Sequence, residues 1–417
     1  MRRLLALPIL LLAPTASAQD LATTIADALA LAPTLKEAEA GEVVARARLD
    51  EARAQGHPQL FVQGQIGMGR IDNGGFFGFA PQNVTPLALQ AGAEMPLYAG
   101  GRIAAAVAQA RGGVDMAGLA LADTRARTMV GAVATYAEVL TARRIEARFA
   151  QLNAELAEVE RQAGLRFKVG EIATSELAAA RARRAEGEAG FAAAQGRRIS
   201  AEAQYRRLTG HDAGTLAPLP ALPQTPATLD EAIDAAHRAN PSLAQADKGL
   251  DIARAGVRAA KAESLPTIGA FAEATRTRDQ FFPDYRADAM AVGIRGRWTL
   301  WAGGRTAAKI DAANGMLAMS QARAREAHDQ IDSAVISAWT GLATAQRMVT
   351  ASAARSMATA EALRSTQLEA KVGAKPTLAV LDAEREAMAA EAAEIEAQGQ
   401  RLVAAWQLNA LTGALAK

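Results

Sequence analysis

Apolar and polar residues alternate along four stretches of this chain and recur every three or four residues along most of the rest. In residues 59–70, Leu60, Val62, Ile66 and Met68 interleave with Gln63, Gln65 and Gly67, the period of a strand with one apolar face. Residues 85–98 repeat the pattern, with Leu87, Leu89, Ala91, Ala93, Met95 and Leu97 on one side and Gln90, Gly92 and Glu94 on the other. Two more strands are expected over residues 267–277 and 288–300, where Met290, Val292, Ile294 and Trp298 oppose Arg295 and Arg297. Strands of roughly ten residues, apolar outside and polar inside, have the length and pattern of membrane-barrel staves. A soluble hairpin with one wet face shares this alternation. Aromatics at the loop ends (Phe281, Phe282, Tyr285) favour the membrane interface, and Phe76, Phe77 and Phe79 cluster in the first loop.

The helical period governs the remainder. Helices are expected over residues 21–31, 34–55 and 172–208, with Pro58 stopping the second. Residues 103–167 and 306–370 run without a proline, and each would make a helix about 100 Å long at about 1.5 Å per residue. The second carries an apolar stripe through Ile310, Ala313, Leu317, Ala324, Ala327, Ile331, Ala334, Ala338 and Leu342, and Leu381, Met388, Ile395 and Leu402 continue it on the returning helix. Steps of three and four describe a coiled-coil seam, and alanines allow the axes to approach closely.

The chain is a tandem duplication. Pro33 and Pro58 match Pro241 and Pro266 at an offset of 208. Ala99-Gly100-Gly101-Arg102 matches Ala302-Gly303-Gly304-Arg305 at 203, as do Lys168-Val169-Gly170 with Lys371-Val372-Gly373 and Leu208-Thr209-Gly210 with Leu411-Thr412-Gly413. The repeats are expected at 19–210 and 228–417, joined by a proline-rich link over 211–227 containing Pro218, Pro220, Pro223 and Pro226. Each reads helix, strand, strand, helix, helix. The 34–55 helix, about 33 Å, and the 172–208 helix, about 55 Å, together approach one long helix, so each repeat offers one continuous and one two-piece stave beside a hairpin. Four strands per chain cannot close a barrel, which makes oligomerisation a geometric requirement.

Composition narrows the function. AVILMFWYC residues make up 50% of the chain but aromatics only 4%, a balance suited to closely packed helices. Arg2, Arg3, an apolar run and Ala16-Ser17-Ala18 form an export signal over residues 1–18, too short to span a membrane. Without Arg2 and Arg3 the chain is formally neutral, since Lys+Arg is 46 and Asp+Glu 44, which argues against nucleic acid. The absence of cysteine excludes disulfides, thiolate catalysis and lipid attachment through an N-terminal Cys. His57, His211, His237 and His328 lack metal-ligand spacing, and there is no Gly-x-Ser-x-Gly elbow. Strand, Gly-Gly, helix also opens nucleotide sites, but neither corner carries a P-loop or Gly-x-Gly-x-x-Gly sequence. No enzyme activity and no cofactor are expected.

Ala235, Ala239, Asn240 and Pro241, the two Gly-Gly-Arg corners, the two Val-Gly tips and the two Leu-Thr-Gly ends occur in order, and over nearly the whole chain it resembles the TolC-type outer-membrane efflux proteins. The resemblance implies a mainly α fold with a membrane β-barrel portion: a homotrimer whose 12-stranded barrel continues into a 12-helix coiled-coil α-barrel. It implies an outer-membrane location with a long periplasmic extension, contact with outer-membrane lipid, and service as the exit duct of a tripartite pump or type I secretion system. Its partners would be a periplasmic adaptor and an inner-membrane transporter of RND, ABC or MFS type. The alternative is that the chain is itself a periplasmic coiled-coil adaptor. Ala32 precedes Pro33 where the family prefers Asn, and the chain ends soon after Gly413, which implies a small C-terminal belt.

The same resemblance assigns roles to residues. Acidic positions six and nine residues beyond the Val-Gly glycine give Glu176 in the first repeat and Asp382 in the second, while Ala379 stands at the second repeat's plus-six position. Asp382 is expected to ring a constriction and Glu176 to form an outer ring, with Arg181, Lys375, Glu384 and Arg385 as candidates for salt links that hold the mouth closed. An ordinary solvated helix carboxylate is the competing reading of Asp382. The tips Val169, Gly170, Thr174, Val372, Gly373 and Thr377 are expected to seat the adaptor. Gly100, Gly101, Arg102, Gly303, Gly304 and Arg305 are expected to turn the chain from barrel to tunnel.

Overall fold

The structure, a computed structural model, describes residues 19–72, 74 and 80–415. The export signal at 1–18 and the Phe76, Phe77 and Phe79 cluster therefore lie outside the described residues. The first repeat contains α1 (Leu21–Leu31), α2 (Pro33–Ala54), β1 (Gln59–Ile66), β2 (Gly69–Ile71), β3 (Gln82–Val84), β4 (Leu87–Tyr98), α3 (Arg102–Lys168) and α4 (Thr174–Thr209). The second contains α5 (Leu229–Ala239), α6 (Pro241–Ala262), β5 (Thr267–Arg278), β6 (Arg286–Arg297), α7 (Arg305–Lys371) and α8 (Thr377–Leu411). Both long helices are 67 residues, and their ends are offset by the same 203 positions as the motifs.

The duplication extends to single hydrogen bonds. Gly100 and Gly101 have φ of 60° and 85°, and Gly303 and Gly304 have 60° and 84°. Arg102 N–H donates to the Ala99 carbonyl at 2.9 Å, and Arg305 N–H to that of Ala302 at 3.2 Å. At both corners the left-handed backbone favours glycine. At Gly100 space does too, because a Cβ there would stand 2.8 Å from the Leu265 Cβ.

Two compact units are present among the described residues, each drawing on both repeats: residues 19–36, 122–240 and 330–415 belong to one, and those between 37 and 121 and between 241 and 329 to the other. The second holds an antiparallel sheet in the order β1-β4-β5-β6, and β2 and β3 pair separately. Register puts Leu60, Val62 and Ile66 beside Ala93, Ala91 and Leu87, and it puts Ala270, Ala272 and Ala274 beside Ile294, Val292 and Met290. Leu60, Val62, Ile66, Met290, Val292 and Ile294 make this stretch of the face apolar and exposed, and Arg276 and Asp288 pair at its end near the β5–β6 turn. On the other face Arg295 lies 4.4 Å from the Phe271 ring centroid and 3.4 Å from Glu94, while Gln90 donates to Glu273 at 3.2 Å. Phe61 lies over Gly92 and Phe271 over Gly293, aromatic rings covering glycines once in each repeat.

Two strand expectations need correction. Residues 59–70 are not one strand: pairing with β4 stops at Ile66↔Leu87, and after Gly67 and Met68 the chain enters the β2–β3 hairpin. The last strand is Arg286–Arg297 rather than 288–300, which leaves Trp298 and Leu300 beyond it. Its partner β5 begins at Thr267, opposite Arg297, and Pro266 before that has no amide to extend the ladder.

In the helical unit Leu381, Met388, Ile395 and Leu402, spaced by seven, are 3%, 5%, 3% and 1% exposed. No residue of the expected α7 stripe is exposed, and Ala324 is buried. Close approach is visible at Gly187 and Gly190, where an added Cβ would fall 2.5 Å from Leu156 and from Phe149. The proline-rich link is extended but not free. Leu216 is buried among Leu21, Tyr136 and Tyr205, and the Tyr136 hydroxyl donates to the Ala217 carbonyl at 2.6 Å. Burial pushes the Tyr136 phenol up to about 12.

Candidate functional site

The candidate site is the pair of hairpin tips where α3 turns into α4 and α7 into α8. Gly170 and Gly373 both have φ of 78°. Gly170 N–H reaches the Phe167 carbonyl and Glu171 N–H that of Arg166; Gly373 N–H reaches Ala370 and Ala374 N–H reaches Glu369, at 2.8–3.0 Å. These paired bonds close the last carbonyls of each long helix, and they need a left-handed residue where the glycine stands. Val169 and Val372 are 77% and 80% exposed, an apolar side chain presented to solvent at each turn. Thr174 and Thr377 open the returning helices, which start from extended Ala173 and Pro376.

Charge is distributed unevenly between the tips. Arg166 pairs with Glu171 at 3.0 Å on the first, and Lys375 with Glu369 at 3.1 Å on the second. Glu176 lies in the first turn of α4, where the helix dipole favours an anion. It lines a cavity of about 290 Å³ with Arg166, Ile172, Thr377, Leu378 and Leu381, so the two tips share one hollow.

Asp382 is half-exposed and bound by Arg183 at 2.7 Å; Arg183 also holds Glu186 at 2.7 Å. Sequence reasoning did not single out Arg183. The available signal was height along the helices: Arg183 is thirteen residues beyond Gly170 and Asp382 nine beyond Gly373, a difference of one turn. Arg181 instead lies 3.6 Å from Glu160, which Arg184 also binds at 3.0 Å. Arg385 lines a neighbouring, mostly apolar cavity of about 300 Å³ with Phe149, Leu156, Gly187 and Met388. Glu384, a candidate for a salt link, makes no ion pair among the described residues and is buried instead. It is 8% exposed, and its Oε2 has no hydrogen-bond partner among the described residues. Burial and the nearby Glu155 carboxylate raise its pKa above the ordinary carboxylate value.

Among the described residues no group of three or more histidines and carboxylates is placed to hold a metal ion. No described helix is long and apolar enough to cross a membrane.

A repeated helical hairpin, two glycine tips and a sheet with opposed apolar and charged faces define a channel-like class of protein. The profile of the outer membrane efflux protein family matches residues 24–211 and 232–414, and the chain belongs to that family. The outer membrane efflux protein BepC of Brucella suis biovar 1 (strain 1330) is 29% identical over 294 residues, 70% of this chain and 64% of that protein. The alignment thus spans less than two thirds of the relative's length. A membrane protein from Pseudomonas aeruginosa superposes with a TM-score of 0.82 at 20% identity, covering 94% of this chain and 90% of that one. The outer membrane channel CmeC of Campylobacter jejuni gives 0.84 at 14% identity, covering 94% and 85%. Family membership places the chain among the outer membrane efflux proteins.

Proposed function

We propose that three copies of the chain form the passive exit duct of a tripartite efflux or type I secretion system, with a 12-stranded barrel leading into a 12-helix tunnel. The observation that carries this reading is the open sheet. Its edge strands β1 and β6 have no outer partner among the described residues, and its apolar face is exposed. Pairing β6 with β1 of a neighbour would continue both faces and remove the edges, which lipid does not tolerate. That sheet gives no support to the adaptor alternative. Residues 1–18 would be removed on export.

In this reading the tips Val169, Gly170, Thr174, Val372, Gly373 and Thr377 seat a periplasmic adaptor that links the duct to an inner-membrane transporter, the source of energy. Three Asp382 carboxylates form a cation-favouring ring, latched by Arg183, with Glu176 as an outer ring. Arg181 and Arg385 brace the neighbouring helix faces. The test is light scattering of the purified protein: a trimer that needs detergent is expected, and a monodisperse monomer in plain buffer would overturn the reading.

A further inference from the structure

The apolar face of the sheet changes character near the β5–β6 turn, and on one side only. Register sets its side chains in cross-strand rows. One row runs Val62, Ala91, Ala274 and Met290, apolar from end to end. The next is Gly64, Leu89, Arg276 and Asp288, and the one after it Ile66, Leu87, Arg278 and Arg286. That last row stands about 13 Å beyond the first, at about 3.4 Å per residue. At this height the strands of the first repeat remain apolar: Ile66, Leu87 and Leu89 are 74%, 42% and 49% exposed. The strands of the second repeat have turned basic.

The charges on this row are not balanced within the chain. Arg276 has Asp288 at 3.5 Å, but Arg278 and Arg286 are both exposed and make no ion pair among the described residues. They are register partners, which sets their Cβ atoms about 4.5–5.5 Å apart, and like charges so placed weaken a ladder. The carboxylates of the turn do not relieve them. Asp279 Oδ1 accepts the Asp284 N–H at 2.7 Å, and Asp284 pairs with neither arginine. Phe281 and Phe282 meet Tyr285 edge to face at the turn, with centroids 5.1 and 5.3 Å away, an aromatic girdle of the kind found at headgroup depth.

We infer that Arg278 and Arg286 together bind the phosphate of a multiply acylated lipid in the outer leaflet, whose acyl chains lie on Ile66, Leu87 and Leu89. Two guanidinium forks side by side match the oxygens of one phosphate, and the bound anion removes their mutual repulsion. A simple water boundary would make the whole row polar. Here hydrocarbon contact and unpaired charge share one height, which is the chemistry of a lipid with an anionic head and calls for no free anion. β1 and β5 start, and β4 and β6 end, beside helices, so the β5–β6 turn is the far end of the sheet and the outer side of the duct proposed above. The inference rests on that duct and adds to it one phospholipid-type site per chain.

The test is native mass spectrometry of the detergent-solubilised full chain titrated with lipid A. The bisphosphorylated form is expected to bind at least about tenfold more tightly than the dephosphorylated form. Arg278→Gln with Arg286→Gln should erase that preference. Arg297→Gln, the same charge change on the opposite face, should leave the affinity within about twofold. Inorganic phosphate in equal amount should displace little of the lipid; if it competes as an equal, the site takes a free anion and the inference falls. Equal affinity of the native chain for the two lipid forms also overturns it, an arm that needs no variant to fold. A detergent-requiring trimer without the phosphate preference leaves the duct standing, whereas a monodisperse monomer in plain buffer overturns both.

Discussion

The sheet and the helical unit place their apolar residues oppositely. Met290 and Val292 in β6 are 88% and 86% exposed, whereas Ala390 and Leu402 in α8 are 0% and 1% exposed. Large aliphatics face outward where strands alternate, and alanine and glycine face inward where helices approach. Each region is thus built for a different solvent. Among the described residues the sheet's apolar side chains have no covering element, which suits the lipid contact proposed above, while the helical stripe is covered by other helices, as water-surrounded helices require.

The sharpest way to break that comparison is to charge the two faces of the sheet separately. Val292→Arg puts a cation on the apolar face, at a cost of roughly 2–4 kcal/mol per chain at mid-bilayer. The expected outcome is loss of trimer from the outer-membrane fraction. Thr275→Arg on the opposite face should assemble normally, and equal behaviour of the two variants would erase the distinction. In the helices the corresponding injury is steric. Gly187→Leu should lower stability by about 1–3 kcal/mol, because Leu156 occupies the space. Gly131→Ala, with nothing near its Cβ position, should gain up to about 1 kcal/mol, and the two variants can be compared by thermal dissociation of the trimer.

Smaller effects belong to the tips. In planar bilayers Asp382→Asn should weaken cation preference and block by divalent cations. Arg183→Ala should raise conductance more than Arg385→Ala, because Arg183 is the residue that binds Asp382. Unchanged selectivity in Asp382→Asn would return that carboxylate to an ordinary solvated role. The smallest effect is a pH dependence. With its pKa raised in the folded chain, Glu384 favours folding while both states are protonated. That contribution is lost as pH rises from the ordinary carboxylate value through the raised one. Glu384→Gln should therefore match the native protein near pH 4 and exceed it at neutral pH by on the order of 1 kcal/mol, read from melting curves across that range.

Periodicity and repeat spacing made most of this architecture legible. The α7 stripe, the seven-residue series on α8 and the glycine turns all stand where the pattern put them, because each depends on residues close in sequence. The β2–β3 hairpin was not legible, since alternation through Met68 continues past the point where pairing with β4 ends. At the tips the motif spacing led to Asp382 and Glu176 but not to Arg183, whose partner is 199 residues away on another helix. The burial of Glu384, a candidate for a salt link, was not legible for a related reason: only packing between helices buries it.

The ion pairs that join the two repeats have a mechanical consequence. Arg183–Asp382, Arg148–Glu391 and Arg197–Glu396 all tie the first repeat to the second within one chain. At the counterpart positions the pairs become Glu386 with Ala179, Ala351 with Glu188, and Gln400 with Ala193, none of which can form a salt bridge. In the proposed ring of three such chains, stiff joints would therefore alternate with compliant ones. Torque applied at the mouth would be taken up along the three boundaries between chains, and the helical unit of each polypeptide would swing as one leaf.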